Sequence, residues 1–182
     1  MTKLGNVLDG VDSLKEKLPN TQSIITKEVS IDSLLSALNS FTNIVRYLNT
    51  RRSKGAILDL SNEASVQDAL YLMLRPWILD LVPETPTEKV ANRFSIKDFA
   101  SKDGRFVIEA KFVRDAAHGK ALAKEINDDI ETYRYHVSCD DLVFFIYDPG
   151  GYIPDSAALE RHVRTSRSYD GKTLRCYGVI KP

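Results

Sequence analysis

Apolar residues recur at three- and four-residue spacing through "VSIDSLLSALNSFTNIVRYLN", residues 29–49. Ile31, Leu34, Leu35, Leu38, Phe41, Val45 and Leu48 then share one side of a single helix. Arg51, Arg52 and Lys54 complement its negative end, and Gly55 is available as a C-terminal cap. A weaker helical pattern around "VDSLKEKL" precedes it and stops at Pro19-Asn20. A further helix is predicted over "SNEASVQDALYLML", with Ser61 or Asn62 as N-cap, Val66, Leu70, Met73 and Leu74 facing inward, and Pro76 as the stop.

Strand patterns follow at "WILDLV", "FSIKDFA", "FVIEAKFV", "DLVFFIY" and "KTLRCYGVI", interrupted by helical patterns at "KALAKEINDDIETYRYH" and "IPDSAALERHVRTSR". Helices first, then a meander, then strand–helix alternation predict an α/β fold with a central mixed β-sheet flanked by helices. "LVFFIY" is apolar on both faces, as a central strand covered on both sides must be.

"FVIEAKFV" alternates Phe106, Ile108, Ala110 and Phe112 with Val107, Glu109, Lys111 and Val113, which places an acid and a base on one face. Asp103-Gly104 between this strand and "FSIKDFA" predicts a two-residue type I′ hairpin turn. That turn pairs Lys102 with Arg105, Ser101 with Phe106, Ala100 with Val107, Phe99 with Ile108 and Asp98 with Glu109. Opposed carboxylates with Cβ atoms about 5 Å apart repel unless something offsets them, and a divalent cation would. Lys111 projects from the same face. A solvated pair bridged by Lys97 or Lys111 is the plainer alternative.

The chain has 182 residues, 43% hydrophobic and 27% charged, which suits an ordinary globular domain with an appended helical segment. Cys139 and Cys176 match no metal spacing and are too few for a disulfide framework, so a reducing cytoplasm is the expected location. No apolar run reaches the roughly 20 residues of a membrane span. Net charge is zero, which argues against binding a polyanion through overall potential. Yet from Ser156 onward six Lys or Arg face two acids, so that end is locally basic.

Arg161, Arg164 and Arg167 recur every three residues on the helix predicted over 153–167, and both a solvated face and phosphate contact fit that stripe. Lys120, at the start of the helix before "LVFFIY", is a further candidate for a phosphate. In that helix Leu122, Ile126, Ile130 and Tyr133 read as the buried face, and Asp128, Asp129 and Glu131 as solvated charge. His118, His136 and His162 have no partners at ligand spacing, and no phosphate-binding loop of the G-x-x-x-x-G-K-[ST] type is present.

"KD" at 97–98, ten intervening residues and "EAK" at 109–111 resemble the PD-(D/E)XK nuclease superfamily, in particular its bacterial restriction and defence members. The resemblance covers roughly residues 60–182 and includes "EINDDIETY" followed by "LVFFIYDPGG"; Lys97 stands where the motif name has proline. It implies a restriction-endonuclease-like domain over 56–182; it does not cover residues 1–55, an N-terminal helical segment expected to serve oligomerisation or partner and target binding. It implies a metal-dependent endonuclease acting on DNA, with RNA an alternative substrate, in restriction or phage defence. Asp98, Glu109 and the carbonyl of Ala110 would hold Mg²⁺, for which Mn²⁺ can substitute, Glu63 would complete the metal site, and Lys111 would act on the water or the phosphate. Implied partners are a second copy of the chain or a larger defence complex. The rival reading is a nuclease fold without catalysis, kept for nucleic-acid binding or protein assembly.

Overall fold

Residues 29–51, 55, 57–86, 96–103, 105–133, 139–169 and 171–182 are described by a computed structural model. The helical pattern expected around residues 11–18 lies outside them. The elements run α1 (Ile31–Asn39), α2 (Phe41–Thr50), α3 (Glu63–Leu74), β1 (Val82–Pro86), β2 (Ile96–Ser101), β3 (Phe106–Phe112), α4 (Ala116–Tyr133), β4 (Asp141–Tyr147), α5 (Ser156–Val163), β5 (Ser166–Tyr169) and β6 (Lys172–Lys181).

The strands form one six-stranded sheet in the order β1-β2-β3-β4-β6-β5. β1, β2 and β3 pair antiparallel, β3, β4 and β6 pair parallel, and β5 pairs antiparallel with β6. The sheet is therefore mixed, as expected. β4 lies between two parallel neighbours, and Leu142 through Ile146 are wholly buried. Val143 and Phe145 join Leu34, Leu38, Phe41, Val66, Leu70 and Leu74 of α1–α3 in one core cluster. Leu142, Phe144 and Ile146 join Leu122, Ile126, Ile130 and Tyr133 of α4 and Leu159 and Val163 of α5 in the other.

The single helix expected over 29–49 is two helices. At Ser40 the N–H bonds back to the carbonyls of Ala37 and Leu38, while Ser40 Oγ and Asn39 Nδ2 donate to the carbonyls of Ser36 and Leu35. Such side-chain bonding competes with the helical ladder and bends it. Arg51, not Gly55, caps α2. Asn49 then turns the chain, its Oδ1 accepting from the N–H groups of Ile57 and Leu58 at 2.9 Å each and its Nδ2 donating to the Leu58 carbonyl.

Two other expectations are corrected. "WILDLV" is mostly a turn, with Ile78 N–H bonding the Leu74 carbonyl and Leu81 N–H the Ile78 carbonyl; Ile78 and Leu81 are apolar because they plug the core beside α3. The strand begins only at Val82. "IPDSAALERHVRTSR" is helical only to Val163, and Ser166–Tyr169 is a strand, with Arg167 opposite Leu174. Arg161, Arg164 and Arg167 therefore do not form a helical stripe. No proline or glycine divides the helix from the strand there.

The hairpin register is the predicted one, with Phe99 opposite Ile108, Ala100 opposite Val107 and Ser101 opposite Phe106. Its turn differs. The strands stop at Ser101 and Phe106, and positive φ falls on Arg105, at 51°, instead of Asp103. Asp80 offers the reason: its carboxylate accepts from Ser101 Oγ at 2.8 and 2.9 Å and from Asp103 N–H at 2.9 Å. An Asp-held loop has replaced the minimal turn without moving the register.

Candidate active site

Beyond Phe99–Ile108 the two strands part, and the acids gather in the opening. Asp98 does not lie stacked against Glu109; its Oδ2 accepts from the N–H of Ala110 at 2.7 Å. Glu63 comes to the same strand from the first turn of α3. It is placed there by an Asn62–Ser65 capping box, and its Oε2 takes the N–H of Phe112 at 3.4 Å. Two backbone amides that a continuing β2 would have bonded thus meet carboxylates. In an antiparallel pair the N–H and C=O of a residue point to the same neighbour. The Ala110 carbonyl therefore faces the same opening as its N–H.

Beside this opening, Glu109 and Lys111 project from the face of β3 that α4 covers. Glu109 is 6% exposed, and Tyr133 Oη donates to its Oε1. Lys111 Nζ lies 2.8 Å from Asp129 Oδ2. The structure thus brings together Asp98, Glu109, Lys111 and, at the rim, the exposed Glu63. It adds Asp129 and Tyr133, one helical turn apart. The reading of Asp129 as solvated charge is corrected: it lies on the flank of α4 between the buried and solvated faces, where periodicity sorts a residue to neither. Tyr133 is buried as expected, but its hydroxyl ends at a carboxylate. The pairing was available from the sequence as an i, i+4 pair on a crossover helix facing an i, i+2 pair on the preceding strand.

Electrostatics follow from this crowding. Burial, and then the charge of Asp98, push the Glu109 carboxyl up to about 8, against the opposing effects of the Tyr133 hydrogen bond and Lys111. Burial also raises Asp98, with Glu63 adding to it and the Ala110 amide opposing. Burial, then Glu109, raises the Tyr133 phenol above its ordinary range. For Lys111 burial acts downward, and Asp129, Glu109 and Glu63 together outweigh it, so the ammonium is held.

Among the described residues no three His, Cys, Asp or Glu side chains converge as a ready metal cage. Mg²⁺ does not require one, since it binds through one or two carboxylates and keeps several waters. Asp98, Glu109 and the Ala110 carbonyl are hard oxygen donors, and a divalent cation would offset the negative neighbours that add to burial in raising the two carboxyls, Glu63 at Asp98 and Asp98 at Glu109. The donor set fits such an ion.

Candidates for nucleic-acid contact lie elsewhere. Lys120 is exposed on α4, about two and a half turns from Asp129 and so on the opposite side of the helix. Arg161 and Arg164 are exposed, Arg164 facing Glu160 at 3.4 Å, while Arg167 is half-buried against Asn127 and Glu131. His118 is buried and bonded to Glu125, a structural role. No helix of the described residues is long and apolar enough to cross a membrane.

Compared with protein families, residues 32–175 match the restriction endonucleases of the DpnII-MboI type (REase_DpnII-MboI). No curated protein and no solved structure matches the chain.

Proposed function

This chain belongs to the DpnII-MboI restriction endonuclease family, a DNA-cleaving family of restriction defence, and from that premise we propose how its own residues carry out the cleavage. Enzymes of this kind work with divalent metal ions, and we take the ion here to be Mg²⁺, with Mn²⁺ able to replace it. Asp98, Glu109 and the Ala110 carbonyl would hold it, with Glu63 reaching it directly or through water. When bound, the ion supplies charge neutralisation and activation of a water for attack on a DNA phosphodiester.

The residues themselves do the rest. Asp98 and Glu109 approach from two strands and fix where the scissile phosphate can come to rest. Lys111 presents an ammonium beside them, held protonated by its acidic neighbours, and so donates to oxygens on which charge develops as the P–O bond breaks. Buried β4 pairs with β3 along the side away from this opening. The observation that carries the proposal is the meeting of Asp98, Glu109 and Lys111 where β2 and β3 part.

Lys120, Arg161, Arg164 and Arg167 are proposed as DNA-backbone contacts, and a homodimer as the form that cuts both strands. The segment over 1–55 is proposed to serve pairing or target binding. The test incubates the purified chain with plasmid and phage DNA in Mg²⁺, in Mn²⁺ and in EDTA. Cleavage in the metals, none in EDTA and none for Lys111→Ala is expected. Cleavage by Lys111→Ala at the wild-type rate overturns the assignment.

A further inference from the structure

Glu109 and Lys111 are two positions apart on β3, so their side chains leave one face about 6.6 Å apart. Asp129 and Tyr133 are four apart on α4, about 6 Å along the helix. α4 is the crossover between parallel β3 and β4, so it runs back along β3, and the nearly equal spacings let both pairs meet at once. Tyr133 reaches Glu109, and Asp129 reaches Lys111 at 2.8 Å.

We propose that Asp129 and Tyr133 are positioning residues for DNA cleavage, a clamp on α4 that sets Lys111 and Glu109 in working geometry. The inference rests on the reading of Lys111 and Glu109 given above. A lysine has four rotatable side-chain bonds and strong attraction to the nearest acid. Left alone, Lys111 would lean on Glu109, its neighbour on the same face, and neutralise the carboxylate needed for the metal. Asp129 supplies a competing carboxylate and draws the ammonium toward α4. The Lys111 and Asp129 side chains are 17% and 31% exposed, so the pair is shielded enough to hold. Tyr133 acts on the other member: by occupying Oε1 of Glu109 it fixes the carboxylate plane and leaves Oε2 as the oxygen to present. Partners of this kind around a metal ligand change affinity or rate by about 10- to 100-fold when removed.

The experiment uses the full chain with Asp129→Asn, Asp129→Glu and Tyr133→Phe, beside Lys111→Ala and Glu109→Ala. Single-turnover cleavage is measured across a Mg²⁺ titration, DNA affinity in Ca²⁺, and the thermal transition of each variant. Asp129→Asn is expected to slow cleavage about 10-fold or more, with DNA affinity retained and Asp129→Glu recovering much of the rate. Tyr133→Phe is expected to raise the Mg²⁺ needed for half-maximal rate severalfold, with the rate returning at high Mg²⁺. Wild-type rates and Mg²⁺ dependence in Asp129→Asn and Tyr133→Phe overturn the clamp. So does a loss of rate that tracks loss of DNA binding and of the thermal transition without recovery by Asp129→Glu. If Lys111→Ala and Glu109→Ala themselves cleave normally, it is the underlying site that fails, a distinct result.

Discussion

Glu109→Gln should make the metal-free protein increasingly more stable than the wild type as the pH rises, although it removes a proposed metal ligand. The side chain is buried, and its carboxyl is pushed from 4.5 up to about 8, chiefly by burial and then by Asp98. Below the lower value folded and unfolded chains both hold the proton. Between the two values the unfolded chain has released it while the folded chain keeps it, so stability falls with rising pH by up to about 1.4 kcal/mol per pH unit. Across the whole window the loss approaches about 5 kcal/mol, and relaxation around the ionised group reduces it to roughly half. Glutamine matches the protonated side chain in shape and has no charge to bury. Urea unfolding in EDTA, followed by circular dichroism from about pH 5 to about pH 8.5, should show variant and wild type diverging by about 2–3 kcal/mol and then running parallel. Adding Mg²⁺ at about 100 times its dissociation constant should return about 2.7 kcal/mol to the wild type. It should return little to the variant. Curves that stay parallel from pH 5 upward would refute the buried, repelled carboxylate as the source of strain at this site.

Asp80→Ala removes the carboxylate that holds Ser101 Oγ and the Asp103 amide, and should cost about 1–3 kcal/mol in urea unfolding and slow cleavage through the loosened hairpin. Leu34→Ala, at a fully buried position in the core cluster that also holds Phe145 and Val179, should cost about 2–5 kcal/mol and shift the main unfolding transition. A main transition that stays in place would show that α1 unfolds separately from the sheet. Arg175→Ala strands the buried Asp141, which accepts from its guanidinium at 2.6 and 2.7 Å, and should lower stability by about 2–3 kcal/mol with metal-dependent cleavage retained.

What could be read from the residues depended on whether local periodicity alone decided the outcome. The β2–β3 register was legible from a turn placed at Asp103-Gly104, and alternation protects it, since a one-residue slip would turn Phe106 and Ile108 out of the α1–α3 core. The buried β4 and the Asn62 cap were legible for similarly local reasons. The turn was not, because Asp80, more than twenty residues upstream, holds it. The break at Ser40 turns on side-chain hydrogen bonds that a hydrophobic pattern does not register. β5 was hidden because a short strand at a sheet edge needs only its partner β6, and "RTSRSY" has no apolar alternation of its own.

Asp129 and Tyr133 escaped for a different reason, one that also explains why the site lies where it does. A sheet edge left open by parting strands exposes backbone amides that must find acceptors. Here Asp98 and Glu63 supply them from one side, at Ala110 and Phe112. Carboxylates brought in to satisfy those amides crowd Glu109, which must itself be held against repulsion, and the helix that crosses behind β3 is the nearest element able to do so. The acids, the lysine and the α4 pair are thus linked consequences of ending the hairpin pairing at Phe99–Ile108. Extending that pairing by two residue pairs, to Lys97 opposite Ala110, would return the Ala110 amide to the ladder, release Asp98 from it and dismantle the opening in which the proposed ion would be held.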